Sequence, residues 1–109
     1  MRIIELGGRE VRIKGSPMTP YFYKKAFGQS LSGDLMAMEG IEEDRSKFDD
    51  VNILQMIWAM EKTVDRNIKP FEKWLEDFEY LILNDVLADD VEEAMNATFR
   101  DKPQLKPEQ

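Results

Sequence analysis

Between Thr19 and Gly28 the chain sets four aromatic rings, Tyr21, Phe22, Tyr23 and Phe27, in a stretch that begins as a helix and stops at a glycine. Ser16-Pro17 and Thr19-Pro20 each offer an N-cap with proline at the first helical position, and Gly28 suits a left-handed C-cap. Residues four apart share a helix face, so Tyr23 and Phe27 lie together while Tyr21 and Phe22 project elsewhere. A single neighbour cannot bury all four. Such a helix must be enclosed by several elements, or leave part of its surface to a partner. Tyr23 and Phe27 fit either use. Tyr21, whose hydroxyl suits a half-wet interface, is read as the exposed contact.

The elements around this helix follow from local patterns. Two alternating runs, Arg2 to Leu6 and Arg9 to Lys14, flank Gly7-Gly8, a pair able to take the positive φ values of a two-residue turn. The expectation is a β-hairpin over 2–14 with Ile4, Leu6 and Val11 on one face and Glu5, Glu10, Arg12 and Lys14 on the other. A lone hairpin is marginal in water, so its apolar face must pack on helices. Its edge offers a second use, addition to a partner's sheet.

The first helix is expected from about Pro20 to Phe27. Leu31, Leu35 and Met38 predict a short second helix, and Gly40 to Phe48 reads as a charged, mobile connector. Asp49-Asp50 cap a long helix to about Arg66, striped by Ile53, Ile57, Met60 and Val64 and widened by Leu54 and Trp58. Pro70 starts another with Phe71, Trp74, Leu75, Phe78 and Ile82 inward. Asp89-Asp90 start the last, carrying Val91, Ala94, Met95 and Phe99. Residues 102–109 read as a disordered polar tail. The fold class is therefore α+β and mostly α: one domain over 1–101, an N-terminal β-hairpin packed on four or five helices.

Composition narrows the chemistry. Histidine and cysteine are both absent, which removes the usual triads, dyads and zinc sites. The acidic clusters Glu42-Glu43-Asp44, Asp49-Asp50 and Asp89-Asp90 sit in loops and at helix starts, where solvation and the helix dipole account for them. No calcium loop or phosphate loop occurs, so no catalytic residue, cofactor or metal is expected and the chain reads as a non-enzyme. An apolar run long enough to span a bilayer is missing, as is a secretory pattern. Residues 1–30 carry net +4 and the remainder −11, giving −7 for the 109 residues. So acidic a chain is a poor ligand for phosphate backbones. Interaction with protein is what remains. Met18, Met36, Met38, Met56, Met60 and Met95 are adaptable side chains of the kind that permissive surfaces use, although most belong in cores, as do Trp58 and Trp74.

Three blocks carry a resemblance. Thr19-Pro20-x-x-Tyr23-Lys24-x-x-Phe27-Gly28 followed by Asp34-Leu35, then Ile57-Trp58-Ala59-Met60, then Phe71-Glu72-x-Trp74-Leu75-x-x-Phe78-Glu79, preceded by a Gly-Gly hairpin, resemble the tail assembly chaperones of long-tailed phages and prophages of Gram-positive bacteria. The likeness spans roughly residues 2 to 84. It implies a protein that binds and solubilises the tape measure protein and hands it to polymerising tail tube protein. It also implies action in the host bacterial cytoplasm without retention in the mature virion. Tape measure protein is then the expected partner, tail tube protein a second, and self-association along so long a client a further expectation. Neither nucleic acid nor membrane is expected as a partner. The residues expected to meet the partner are Tyr21, Phe22, Tyr23, Phe27, Met36 and Met38. The alternative is a small phage regulatory or head-to-tail connector protein.

Overall fold

A computed structural model describes residues 1–38, 49–86 and 89–99. The connector expected at Gly40–Phe48 and the tail expected at 102–109 lie outside the described residues. The architecture is α+β and mostly helical, with the N-terminal hairpin packed on helices.

Strands β1 (Arg2–Leu6) and β2 (Arg9–Ile13) pair antiparallel, with Ile4 opposite Val11 and Leu6 opposite Arg9. Gly7 and Gly8 have φ of 60° and 77°, the positive pair that a tight hairpin turn demands. Alternation puts Ile4, Leu6, Val11 and Ile13 into the core, while Glu5 and Glu10 face each other in solvent. The hairpin is fastened at its exit, where the Lys14 N–H donates to the Met60 carbonyl at 3.2 Å.

Helix α1 (Met18–Phe27) starts two residues before the expected Pro20, at the Ser16-Pro17 signal. Ser16 supplies the start: its hydroxyl accepts from the Met18 N–H and its carbonyl from the Thr19 N–H. Thr19 is therefore no cap but a buried polar residue. Its hydroxyl accepts from the Ser16 N–H at 3.2 Å and meets the Thr63 hydroxyl at 2.7 Å, and Thr63 also reaches the Ala59 carbonyl at 2.8 Å. Gly28 ends the helix at φ 71°, as the sequence predicts.

Helix α2 (Leu31–Ala37) is capped by Ser30, whose hydroxyl accepts from the Gly33 N–H. Helix α3 (Asp50–Val64) begins at Asp49, whose carboxylate accepts from the Asn52 N–H at 3.1 Å. Its centre departs from the expected stripe. Met56, Ile57, Trp58, Ala59 and Met60 are all buried, five consecutive positions and thus every face of the helix. The hairpin packs on it through β2, and α1 lies along another side. Ile53 and Val64, nearer its ends, are only half-buried.

Helix α4 (Phe71–Glu76) is shorter than its apolar spacing predicts. The Asp77 and Phe78 N–H groups turn back three residues, to the Trp74 and Leu75 carbonyls, which tightens and closes the last turn. Past that point helical periodicity no longer applies, and Ile82, expected inward, is exposed. A single turn, α5 (Leu83–Val86), leads to α6 (Asp89–Thr98). Val91, Ala94 and Met95 of α6 are buried as expected. Phe99 is exposed, because the helix ends at Thr98 and the stripe ends with it. Arg2 of β1 ties the sheet to this helix through Asp90 at 3.1 Å and Glu93 at 2.7 Å, an exposed pairing worth a fraction of a kcal/mol.

Candidate partner-binding surface

The three sequence blocks meet in one place. Tyr23 and Phe27 from α1, Trp58 from α3 and Phe71, Trp74 and Phe78 from the α4 region form a ladder of rings. Successive centroids lie 5.2 Å apart for Tyr23–Phe27, 5.4 Å for Phe27–Trp58 and 5.1 Å for Phe27–Phe71. The ladder continues at 5.9 Å from Phe71 to Trp74 and 4.8 Å from Trp74 to Phe78. Most contacts are edge to face, which sets a positive ring edge against a negative ring face. The polar handles are paired too. The Trp58 indole N–H donates to the Lys69 carbonyl at 2.8 Å, and the Trp74 indole N–H donates to Glu61. At the far end the Arg9 guanidinium lies 5.0 Å above the Phe78 ring, joining the ladder to the hairpin turn.

At the near end sits a polar cluster. The Tyr23 hydroxyl donates to an Asp34 carboxylate oxygen at 2.6 Å and accepts from the Asn52 side-chain amide at 3.2 Å. The same amide donates to Gln55 at 3.0 Å. Burial pushes the Tyr23 ionisation well above the ordinary tyrosine range, and the adjacent Asp34 raises it further. A hydroxyl that holds its proton so firmly is a fixed donor, not a nucleophile or a base. The cluster ties α1, α2 and α3 together.

The residues expected to meet a partner therefore separate. Tyr23 is fully buried, Phe22 and Met38 are buried, and Phe27 is half-buried at the ladder's branch point. These four serve the fold: Tyr23 through its cluster, Phe27 through three ring contacts, Met38 in the core that also holds Leu31, and Phe22 beneath Lys62 of α3 and Arg66 just past it. Tyr21 and Met36 remain, 53% and 72% exposed. The structure does not join the six into one surface.

What surrounds Tyr21 is a feature the sequence did not announce. Its ring lies 5.8 Å from that of Phe22 and 5.7 Å from the Lys25 ammonium, one helical turn on. On the other side of Phe22, the Lys62 ammonium and the Arg66 guanidinium each lie 5.7 Å from its ring. Lys62 is also 5.4 Å from the Trp58 ring and donates to the Arg66 carbonyl at 3.2 Å. Lys62 stands in the last turn of α3 and Arg66 just past its end, where the chain has left the helix. Their meeting with α1 is a tertiary fact that no local pattern carries.

Among the described residues no group of acidic side chains is arranged to hold a metal ion, and no helix is long and apolar enough to cross a membrane. A recess is lined by Glu10, Arg12, Glu61, Val64 and Asp65. No protein family, curated protein or solved structure matches the chain.

Proposed function

We propose that the chain is a non-enzymatic tail assembly chaperone of a long-tailed phage or prophage, which binds and solubilises the tape measure protein and passes it to polymerising tail tube protein. The observation that carries this reading is the order of the three blocks in the sequence, Thr19 to Leu35, Ile57 to Met60 and Phe71 to Glu79. Their rings pack on one another, so the blocks are explained as a unit: they make a scaffold, and the contact with a client falls to what the scaffold leaves exposed. Tyr21 and Met36 are such positions. A binder that must later release its client is served by a small exposed apolar area more than by a deep groove. On this reading the protein acts in the host cytoplasm and leaves before the virion is complete.

The test is co-expression with the product of the gene immediately downstream. The expected outcome is that a long helical protein, insoluble alone, becomes soluble and co-purifies with this chain. A neighbour without tape-measure character, or one whose solubility is unchanged, overturns the proposal. Mass spectrometry of purified virions adds a second arm, since a stoichiometric presence there favours a head-to-tail connector.

A further inference from the structure

The cations around Tyr21 lie over rings, whereas Arg2 and Lys69 lie beside carboxylates. Arg2 pairs with Asp90 and Glu93, and Lys69 with Asp77. Among the described residues Lys25, Lys62 and Arg66 have no carboxylate within ion-pair distance, although the chain carries net −7. The acids nearest in sequence are engaged elsewhere: Glu61 accepts from the Trp74 indole and Asp65 from the Asn67 N–H. Ring faces and one backbone carbonyl position these cations instead, and a cation over a ring keeps much of its charge and several donors directed outward. A chain of contacts connects the set from Lys25 through Tyr21 and Phe22 to Lys62 and Arg66.

We propose that this patch docks an acidic amphipathic helix of a partner protein, with carboxylates meeting Lys25, Lys62 and Arg66 and the apolar face covering Tyr21. The partner's charge follows from complementarity, and its apolar component from a tyrosine ring left half in water. A nucleic acid fits less well. Three cations on a strongly acidic protein neutralise few phosphates, and affinity for a polyanion scales with that number. The inference rests on the patch alone and stands whichever protein supplies the acidic segment.

The test is fluorescence anisotropy of the full chain with labelled peptides of about 20 residues, long enough to form a helix on a surface. One peptide carries leucine and phenylalanine at helical spacing with glutamates elsewhere. A second replaces the glutamates with lysines, and a single-stranded DNA serves as the third probe. The acidic peptide should bind, more weakly as salt rises, and the basic peptide should not. Reversal of two cations, Lys25→Glu with Arg66→Glu, should weaken binding about tenfold, as expected for two interfacial charge contacts. The milder pair Lys25→Gln with Arg66→Gln, whose near-ultraviolet circular dichroism should match the wild type, should weaken it by a smaller factor in the same direction. Equal binding of both peptides, retention of affinity in both double variants, or tighter binding of the DNA overturns the proposal. So does sedimentation in which concentration-dependent self-association alone accounts for the signal. Failure of the downstream co-expression with success here would remove the chaperone reading and leave the docking surface.

Discussion

The ring ladder from Tyr23 to Phe78 and the cation-rimmed patch around Tyr21 both draw on helix α1, and Tyr21 and Tyr23 stand two residues apart. In the ladder, the Tyr23 hydroxyl and both indole N–H groups have partners and most rings touch edge to face. In the patch, charges lie over rings, the cations lack carboxylate partners and Tyr21 is half in solvent. Ring content alone does not separate the two regions. What separates them is the neighbour: α3 presents Asn52, Gln55 and Trp58 along one part of α1, and Lys62, with Arg66 just past the helix, along another. A dense aromatic helix can thus divide its labour, with one side closing a core and the other open to a partner.

The hardest blow to this contrast is removal of a ladder ring. Trp74 is buried, so Trp74→Ala should cost about 3–5 kcal/mol in denaturant unfolding. It also leaves Glu61 without its indole donor. Stability within about 1 kcal/mol of wild type would show that the ladder is not the core, since buried large-to-small changes cost more than that.

Phe27 tests the ladder's branch. Its ring is only half-buried but meets Tyr23, Trp58 and Phe71. Phe27→Leu keeps most of the apolar volume and removes three ring contacts. The expected loss is about 2 kcal/mol, from roughly 0.5–1.5 kcal/mol for each aromatic pair less what leucine recovers. A melting temperature equal to the wild type would mean the rings act as generic apolar filler.

Much of this was legible in the chain. The hairpin follows from alternation around Gly7-Gly8, and the caps at Asp49 and Gly28 act through local chemistry that a few residues encode. Misreadings arose where local periodicity was extended past a helix end, as at Ile82 and Phe99, or where three-dimensional enclosure overrode a stripe, as at Met56 and Ala59. The candidate site was harder. Tyr21 was readable as exposed because its neighbours in the helix already claimed the inner face. The burial of Phe22 and Met38 and the arrival of Lys62 and Arg66 depend on how α1, α2 and α3 dock, which spacing along one helix does not encode.

Tyr23 offers a finer test, because a single atom distinguishes it from phenylalanine. Tyr23→Phe strands Asp34 and Asn52 without their shared hydroxyl and should cost about 1–2 kcal/mol at neutral pH. The penalty should also depend on pH. Burial first, and then Asp34, raise the ionisation of Tyr23 above its ordinary value. Below a pH of about 10, folded and unfolded chains both keep the proton and the contribution is fully present. Above it the unfolded chain releases the proton while the folded chain holds it, so stability falls as pH rises. Wild type and variant should therefore converge in alkaline solution. Parallel stability curves across that range would contradict a buried, proton-holding Tyr23.

The smallest expected effect on the fold is at Tyr21. Truncation to alanine removes a ring that is 53% exposed and touches Phe22 and Lys25. Surface changes of this kind usually stay within about 0.5 kcal/mol, and alanine is also the better helix former. Tyr21→Ala should therefore melt near the wild-type temperature while losing affinity for the acidic peptide, since a half-exposed aromatic anchor contributes at an interface and little elsewhere. The contrast with Tyr23→Phe is the sharpest form of the comparison: a whole ring lost at one tyrosine should disturb the fold less than one oxygen lost at the other. The reverse ranking in a single denaturation series would mean that α1 turns its other side to the core, and both regions would exchange roles.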